Sequence, residues 1–245
     1  MITFHILSLF PELIEQYCKT SIIGRGAKNS LIKIKTVNPR DFCKDNYRRV
    51  DDKPYGGGAG MVLKPEPYFL AIESLQLPPL TPIIILSPQG QVYHQAKARQ
   101  LANFTDIVLI AGHYEGFDDR IKTLANYEFS IGDYILTGGE LPALVIIDSI
   151  ARLIPGVLGK ASSLDNESFN QDLLEGPQYT RPPSYRGLNV PSVLLSGNHA
   201  QIALWRKQQA LRQTLKYRND LLDPNNLSKS ELNYIEEVKK ESDHK

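Results

Sequence analysis

Short apolar runs alternate with segments of helical periodicity along the first 153 residues of the chain. This pattern predicts strands at residues 2–7, 31–37, 83–86, 107–110 and 127–131, and helices at residues 65–76, 94–103, 118–125 and 140–153. Another helix should begin at Pro11, because proline suits the first helical position, and should end by Gly24 to Gly26. Strands that are apolar throughout indicate a parallel sheet buried on both faces, so the pattern predicts an α/β protein.

The composition changes at residues 155–176, which are rich in Gly, Ser, Asn and Asp and show little periodicity. Such a segment is typical of an inter-domain linker. We place the linker at residues 159–174, between a large domain of residues 1–158 and a small domain of residues 175–245. The small domain should contain a helix capped by Asn198 and a last helix that begins with a capping box at Ser228 and Glu231.

Composition excludes several classes of protein. No apolar run reaches the roughly 18 residues that a membrane-spanning helix needs, and the N-terminus lacks the features of a signal peptide. The two cysteines and five histidines are scattered, which argues against a metal site. The sequence therefore predicts a soluble cytoplasmic protein with no membrane partner and no bound metal. The net charge is only +1, but basic residues cluster at 25–49 and 206–218, which is modest evidence for a phosphate-binding surface.

Glycine-containing segments follow three of the predicted strands: LSPQGQ at residues 86–91, AGHYEGFDDR at 111–120 and SIGDYILTGGELP at 130–142. The carboxyl ends of parallel strands form the ligand-binding edge of such a sheet, and glycine lets the backbone approach a ligand closely. There is no GxGxxG after the first strand, no P-loop and no GxSxG. An adenosine held by main-chain hydrogen bonds suits these segments better than a triphosphate.

These segments also carry a family resemblance. Together with LFPE, DDKPYGGGAGM, ARLIPGVLG and GPQYTRPPSYRGLNVPSVLLSGNHAQI, they resemble the bacterial tRNA (guanine-N1)-methyltransferases of the SPOUT superfamily, over about residues 1–220. The resemblance implies a parallel sheet with a deep trefoil knot in the C-terminal half of the large domain, followed by a small, mainly helical domain. It also implies a homodimer with the active site at the subunit interface, S-adenosylmethionine as methyl donor, and guanine at position 37 of tRNA as substrate.

The resemblance carries residue roles over to matching positions. Gly112 and the run Ile131, Gly132, Asp133, Tyr134, Ile135 and Leu136 would contact S-adenosylmethionine, and Leu86, Ser87, Tyr114, Gly116, Gly138 and Gly139 would line the same knot. Ser163, Tyr179 and Arg181, together with Tyr55 and Gly57 of the 54–60 loop, would help to bind tRNA, since RNA-binding proteins use arginine for phosphates and aromatic rings for stacking.

Methylation at guanine N1 needs a base that removes the N1 proton and a donor that stabilises negative charge on O6. The family uses an aspartate of an EDSF motif as the base. This chain has Glu167 there, which keeps the carboxylate one methylene further from the backbone. Asp165 and Asp172 are the nearest alternatives. Arg152 matches the family's essential arginine and would face O6. The reaction requires no metal, and the sequence leaves assistance by magnesium open.

Two other functions remain open at this point. One is a non-catalytic RNA-binding protein that kept the fold, with Glu167 marking the lost activity. Cofactor binding without turnover would support it, whereas the intact cofactor segments argue against it. The other is a methyltransferase of the same superfamily that acts on a ribose 2′-oxygen or on another RNA. The carboxylate at residue 167 and the GPQYTRP segment favour guanine N1.

Overall fold

The computed structural model describes residues 1–159, 167–170 and 172–243. The chain forms two compact units, residues 1–160 and residues 161–245. In the first unit the strands are β1 (Ile2–Leu7), β2 (Ile32–Val37), β3 (Asp51–Asp52), β4 (Val62–Leu63), β5 (Ile83–Val92), β6 (Asp106–Ala111) and β7 (Tyr127–Ser130). Its helices are α1 (Pro11–Cys18), α2 (Ser21–Lys28), α3 (Pro65–Ser74), α4 (Gln95–Leu101) and α5 (Glu140–Ala151), with 3-10 turns at Pro39–Phe42 and Asp119–Leu124.

The central sheet has five strands in the order β2-β1-β6-β5-β7, and all its pairings are parallel. Every residue of β1 is buried, as expected for a strand that is covered on both faces. Ile107 and Leu109 of β6 pack into the core on the side of α1, α2, α4 and α5, whereas Val108 and Ile110 pack on the side of α3. The predicted parallel α/β arrangement is confirmed, with one helical layer on each face of the sheet.

Two predicted boundaries are wrong. The single helix predicted from Pro11 is two helices, because α1 ends at Cys18 and α2 begins at Ser21 and runs through Gly24 and Gly26 to Lys28. A side chain on Gly24 would lie 2.6 Å from the carbonyl carbon of Lys19, and one on Gly26 would touch Val157 and Ile32. Both glycines therefore allow close packing inside the helical region rather than a stop. Strand β5 also continues beyond residue 86 to Val92, with an irregularity between Leu86 and Gln91 in its pairing with β7.

The second unit contains a short hairpin of β8 (Ser184–Tyr185) and β9 (Leu188–Asn189). Its helices are α6 (Ser192–Leu195), α7 (His199–Tyr217) and α8 (Lys229–Asp243), with 3-10 turns at Asn219–Leu221 and Pro224–Asn226. Buried Leu173, Leu211 and Ile235 form its core. Both predicted caps are confirmed, because Asn198 accepts a hydrogen bond from the Gln201 amide, and Ser228 and Glu231 each accept from the other's amide.

Candidate active site

A cavity of about 430 Å3 lies at the carboxyl edge of the sheet, where β5, β6 and β7 end or become irregular. Its walls are residues 86–89, 112–117 and 128–132, together with residues 134–139. The volume lies in the range of sites that bind cofactors and other small molecules. The three glycine-containing segments therefore converge on one sheet edge, as predicted from the sequence.

The loop after β6 is held in an unusual backbone conformation. Tyr114 has a φ of +59°, a left-handed value that is uncommon outside glycine. Backbone hydrogen bonds fix the loop against the strand β4 region, since the Glu115 amide donates to the Met61 carbonyl and the Leu63 amide donates to the Gly116 carbonyl. The long polar segment before α3 thus supports one wall of the cavity.

The glycine pair before α5 brings a second loop against the first. The Gly139 amide donates to the Gly112 carbonyl at 2.8 Å. A Cβ atom on Gly139 would lie 2.7 Å from the Cα atom of Ala111, so glycine is required for this approach. In the same loop Tyr134, Ile135 and Leu136 are 54%, 81% and 38% exposed, which leaves apolar surface available to a ligand or a partner.

The charged residues around the cavity are mainly acidic. Glu115, Asp119 and Glu128 line it together with one cation, Lys122. The Lys122 Nζ atom lies 3.4 Å from Asp119 and 3.8 Å from Glu128, so its charge is already shared between two carboxylates. Such a wall disfavours a polyphosphate and suits an organic ligand that carries positive charge.

The cavity collects nearly all the residues for which cofactor contact was predicted. Leu86, Ser87, Gly112, Tyr114, Gly116, Ile131, Gly132, Tyr134, Ile135, Leu136, Gly138 and Gly139 line it, whereas Asp133 is exposed and is not among the lining residues. Sequence reasoning missed His113, Phe117, Glu128 and Thr137. His113 lies in the segment AGHYEGFDDR between Gly112 and Tyr114, two predicted cofactor contacts, and this position could have identified it as a lining residue.

Arg152 does not lie at this cavity. It follows α5, whose first turn adjoins the cavity, and the 12 residues of α5 span about 18 Å. Arg152 instead lines a smaller cavity of about 140 Å3 with Tyr17 and Asp148. There the Tyr17 hydroxyl donates to Asp148 at 2.7 Å, and this hydrogen bond raises the pKa of Tyr17 to about 12. Within one chain, the structure separates the predicted arginine from the predicted cofactor residues.

Glu167 belongs to the second unit, where it lines a cavity of about 360 Å3 with Arg206 and Lys207. The backbone after it folds back, because the Phe169 amide donates to the Leu173 carbonyl at 2.8 Å. Asp172 lies in the same turn with a φ of +53°. Asp165 and Ser163 lie outside the described residues.

The remaining predicted RNA contacts lie on exposed surface. Tyr55 is fully exposed, and no heavy atom lies within 4 Å of a Cβ atom built on Gly57. In the second unit Arg181 is exposed, and Tyr179 is 47% exposed with its ring 6.3 Å from the ring of Trp205. These side chains are therefore accessible to a large substrate.

Among residues 1–159, 167–170 and 172–243, no three or more His, Cys, Asp or Glu side chains are grouped so that they could hold a metal ion. Over the same residues, no helix is both long enough and apolar enough to cross a membrane.

A parallel α/β unit with a glycine-lined, acidic cavity at its sheet edge is typical of the class of proteins that bind a small organic ligand there. The chain belongs to the family of tRNA (guanine-1)-methyltransferases TrmD, whose family model matches residues 2–224. The resemblance seen in the sequence motifs is thereby confirmed.

Curated relatives match almost the whole chain. A protein of Dehalococcoides mccartyi is 50% identical over 98% of both chains, and one of Dictyoglomus turgidum is 47% identical over 98% of both. A protein of Moorella thermoacetica is 50% identical over 95% of both. Each of the three is named tRNA (guanine-N(1)-)-methyltransferase.

Proposed function

We propose that this chain methylates N1 of guanine at position 37 of tRNA, with S-adenosylmethionine as the methyl donor. The observation that carries the proposal is the cavity at the sheet edge, which gathers the predicted cofactor residues in a chain that belongs to this family. A cytoplasmic location accords with a tRNA substrate.

The acidic cavity fits S-adenosylmethionine, which carries positive charge on its sulfonium and its ammonium group. Carboxylates of Glu115, Asp119 and Glu128 would attract that charge, and the backbone of the glycine loops would contact the adenosine. The cofactor supplies an electrophilic methyl group when it is bound. The chain's own task is then to orient the guanine base and to remove a proton from it.

Glu167 is the proposed general base. Its carboxylate would accept the proton of guanine N1, so that the N1 lone pair can form the bond to the methyl carbon as the carbon–sulfur bond breaks. Negative charge then develops on O6. The guanidinium of Arg152 would stabilise this charge, because arginine stays protonated and presents several N–H donors.

Arg152 would act on the cavity of a second copy of the chain. Leu141 and Val145 on α5 are 60% and 45% exposed, and Asp148 and Arg152 continue the same face at helical spacing. Leu13 and Tyr17 on neighbouring α1 are 52% and 43% exposed. Exposed apolar side chains beside a charged end of this kind support a two-fold interface. With antiparallel α5 helices across that interface, Arg152 of one copy would approach the cavity of the other.

The tRNA would contact exposed groups of both units. We assign phosphate and base contacts to Tyr55 and Gly57 in the first unit, and to Ser163, Tyr179 and Arg181 in the second. The knotted arrangement of the sheet-edge loops, the linker at residues 159–174 and a helical tRNA-binding domain at residues 175–245 belong to the same proposal.

The test is methyl transfer from labelled S-adenosylmethionine to two tRNA transcripts, one with guanine and one with adenine at position 37. Wild type should label only the guanine transcript, and Glu167→Gln should lose at least about a hundredfold in rate, because it cannot accept the proton. Glu236→Gln, on an exposed position of α8, is the matched control and should retain activity.

The outcomes separate the alternatives. Transfer that survives in Glu167→Gln would assign the base to Asp165 or Asp172. Product in which a ribose oxygen carries the methyl group would contradict guanine N1. If wild type binds the cofactor but transfers no methyl group, the chain is a binding protein.

A further inference from the structure

Glu140 is a buried carboxylate for which the proposed mechanism has no role. It is 4% exposed and is the first residue of α5, where the helix N-terminus favours a negative charge. A buried charge is stable only when hydrogen-bond partners replace the lost water. Glu140 has two such partners, which come from distant parts of the chain.

The first partner is Ser8, which is fully buried just after β1 and donates its hydroxyl hydrogen to Glu140 Oε1 at 2.6 Å. The second is His113, whose Nε2 atom lies 2.8 Å from Glu140 Oε2. His113 is also packed against the ring of Phe10, at a centroid distance of 4.8 Å. The carboxylate therefore connects the end of β1, the loop after β6 and the start of α5.

The contact lies where the two glycine-containing loops of the cavity meet. His113 and Gly138 form an isolated β-bridge next to the hydrogen bond between Gly139 and Gly112. A Cβ atom on Gly138 would overlap the His113 ring and would lie 2.6 Å from Glu140 Oε2. The two loops can therefore hold this spacing only while residue 138 is glycine, and the His113–Glu140 contact lies directly at this close approach.

The residue after His113 shows why the loop needs support. Tyr114 lines the cavity with a left-handed backbone, a conformation that persists only when surrounding contacts hold it. Without Glu140, the His113 side chain would lose this hydrogen bond, and the backbone of Tyr114 would lose a fixed neighbour.

We propose that Glu140 is a positioning residue that holds the two loops of the cofactor cavity together through His113. It does not itself line the cavity. The inference rests on the proposed function in one respect, namely that the cavity binds S-adenosylmethionine.

The experiment measures S-adenosylmethionine affinity by calorimetry. Steady-state kinetics then give the KM for the cofactor and the KM for tRNA. Glu140→Ala should weaken cofactor affinity about tenfold or more, because it removes hydrogen bonds to a charged group, and should raise the KM for tRNA by a clearly smaller factor than the KM for the cofactor. Glu140→Gln should restore most of the affinity, since its amide can still accept from Ser8 and donate to His113. Glu66→Ala, an exposed glutamate in the first turn of α3, is the matched control.

His113→Phe provides a second variant, in case Glu140→Ala does not fold. It keeps a ring against Phe10 but removes the nitrogen that meets Glu140. If the two residues act as one unit, the double variant His113→Phe/Glu140→Ala should bind no more weakly than the worse single variant.

Unchanged affinity in folded Glu140→Ala and His113→Phe, or additive losses in the double variant, would overturn the inference while leaving the proposed function in place. A KM for tRNA that rises as much as the KM for the cofactor would also overturn it. A wild type that binds no S-adenosylmethionine would overturn the proposed function and this inference together.

Discussion

Two variants of this chain that are each inactive as a homodimer should regain methyl-transfer activity when one copy of each is combined in a single dimer. Helix α5 joins the proposed cofactor cavity at its N-terminal end to Arg152 at its other end, about 18 Å away for 12 residues. That distance is much longer than an arginine side chain. If Arg152 stabilises the reacting guanine, it must therefore act in the cavity of a partner copy.

The two variants are Arg152→Ala, which removes the guanidinium, and Gly139→Val, which closes the cavity. Even the Cβ atom at residue 139 would lie 2.7 Å from Ala111 Cα and 2.8 Å from the Gly112 nitrogen, and neither backbone atom can move away easily. Overpacking of this kind costs about 1–3 kcal/mol if the loops stay in place. If they move apart to relieve it, the cavity loses its shape, and a loss of the same size in binding free energy corresponds to about 5- to 150-fold in cofactor affinity. Each homodimer should therefore be nearly inactive.

The assay uses heterodimers purified through two different affinity tags, followed by methyl transfer to the guanine transcript. A dimer of Arg152→Ala with Gly139→Val contains one intact cavity that faces one intact arginine, so it should have about half the activity of wild type. A dimer of wild type with a chain that carries both substitutions contains no intact pair and should be inactive.

The opposite pattern would refute the reasoning. If each chain used its own Arg152, the mixed dimer of single variants would be inactive, and the dimer of wild type with the double variant would keep about half the activity. Thermal unfolding of both single variants checks that loss of activity does not reflect loss of folding.

Three further predictions concern local structure. Burial raises the pKa of the Cys18 thiol to about 11 and leaves the residue 3% exposed, so maleimide at pH 8 should modify Cys18 only after unfolding, as read by mass spectrometry. Ser228→Ala removes the cap of α8 and should cost about 1 kcal/mol, measured by denaturant unfolding. Gly24→Ala should destabilise the fold by about 1–3 kcal/mol, because its methyl group would collide with the Lys19 carbonyl; an unchanged unfolding midpoint would contradict this.

The sheet could be predicted from the sequence because its central strands are apolar throughout and must therefore be buried on both faces. Residues 83–86 and 107–110 are continuous apolar runs, and such runs are stable as strands only when both faces are covered. The predicted helix end at Gly24 to Gly26 was wrong because glycine can either end a helix or, inside a helix, allow a neighbouring group to pack closely. At Gly26 the missing Cβ atom allows close packing against Val157, a contact with a residue far along the chain that no local pattern reveals.

The same reason explains which part of the candidate site could be predicted. The glycine loops were visible because each follows an apolar run, and parallel topology brings those ends together. The contacts of Glu140 were not visible, since Ser8 lies 132 residues away along the chain and His113 lies 27 residues away. Pairings at such separations depend on the finished fold, not on spacing within a motif.

Helix α5 gives a physical reason why cofactor binding and base positioning should be coupled in the proposed dimer. Its first residue, Glu140, contacts a loop of one cavity, and Arg152 follows its last turn and would serve the other cavity. A helix packed along its length against the core moves as a rigid element, so a displacement at one end moves the other. Cofactor in one cavity would then fix Glu140 and, through α5, the arginine offered to the partner. Because coupling between sites is reciprocal, tRNA bound at one cavity should tighten cofactor binding at the other, and equal cofactor affinity with and without tRNA would contradict this.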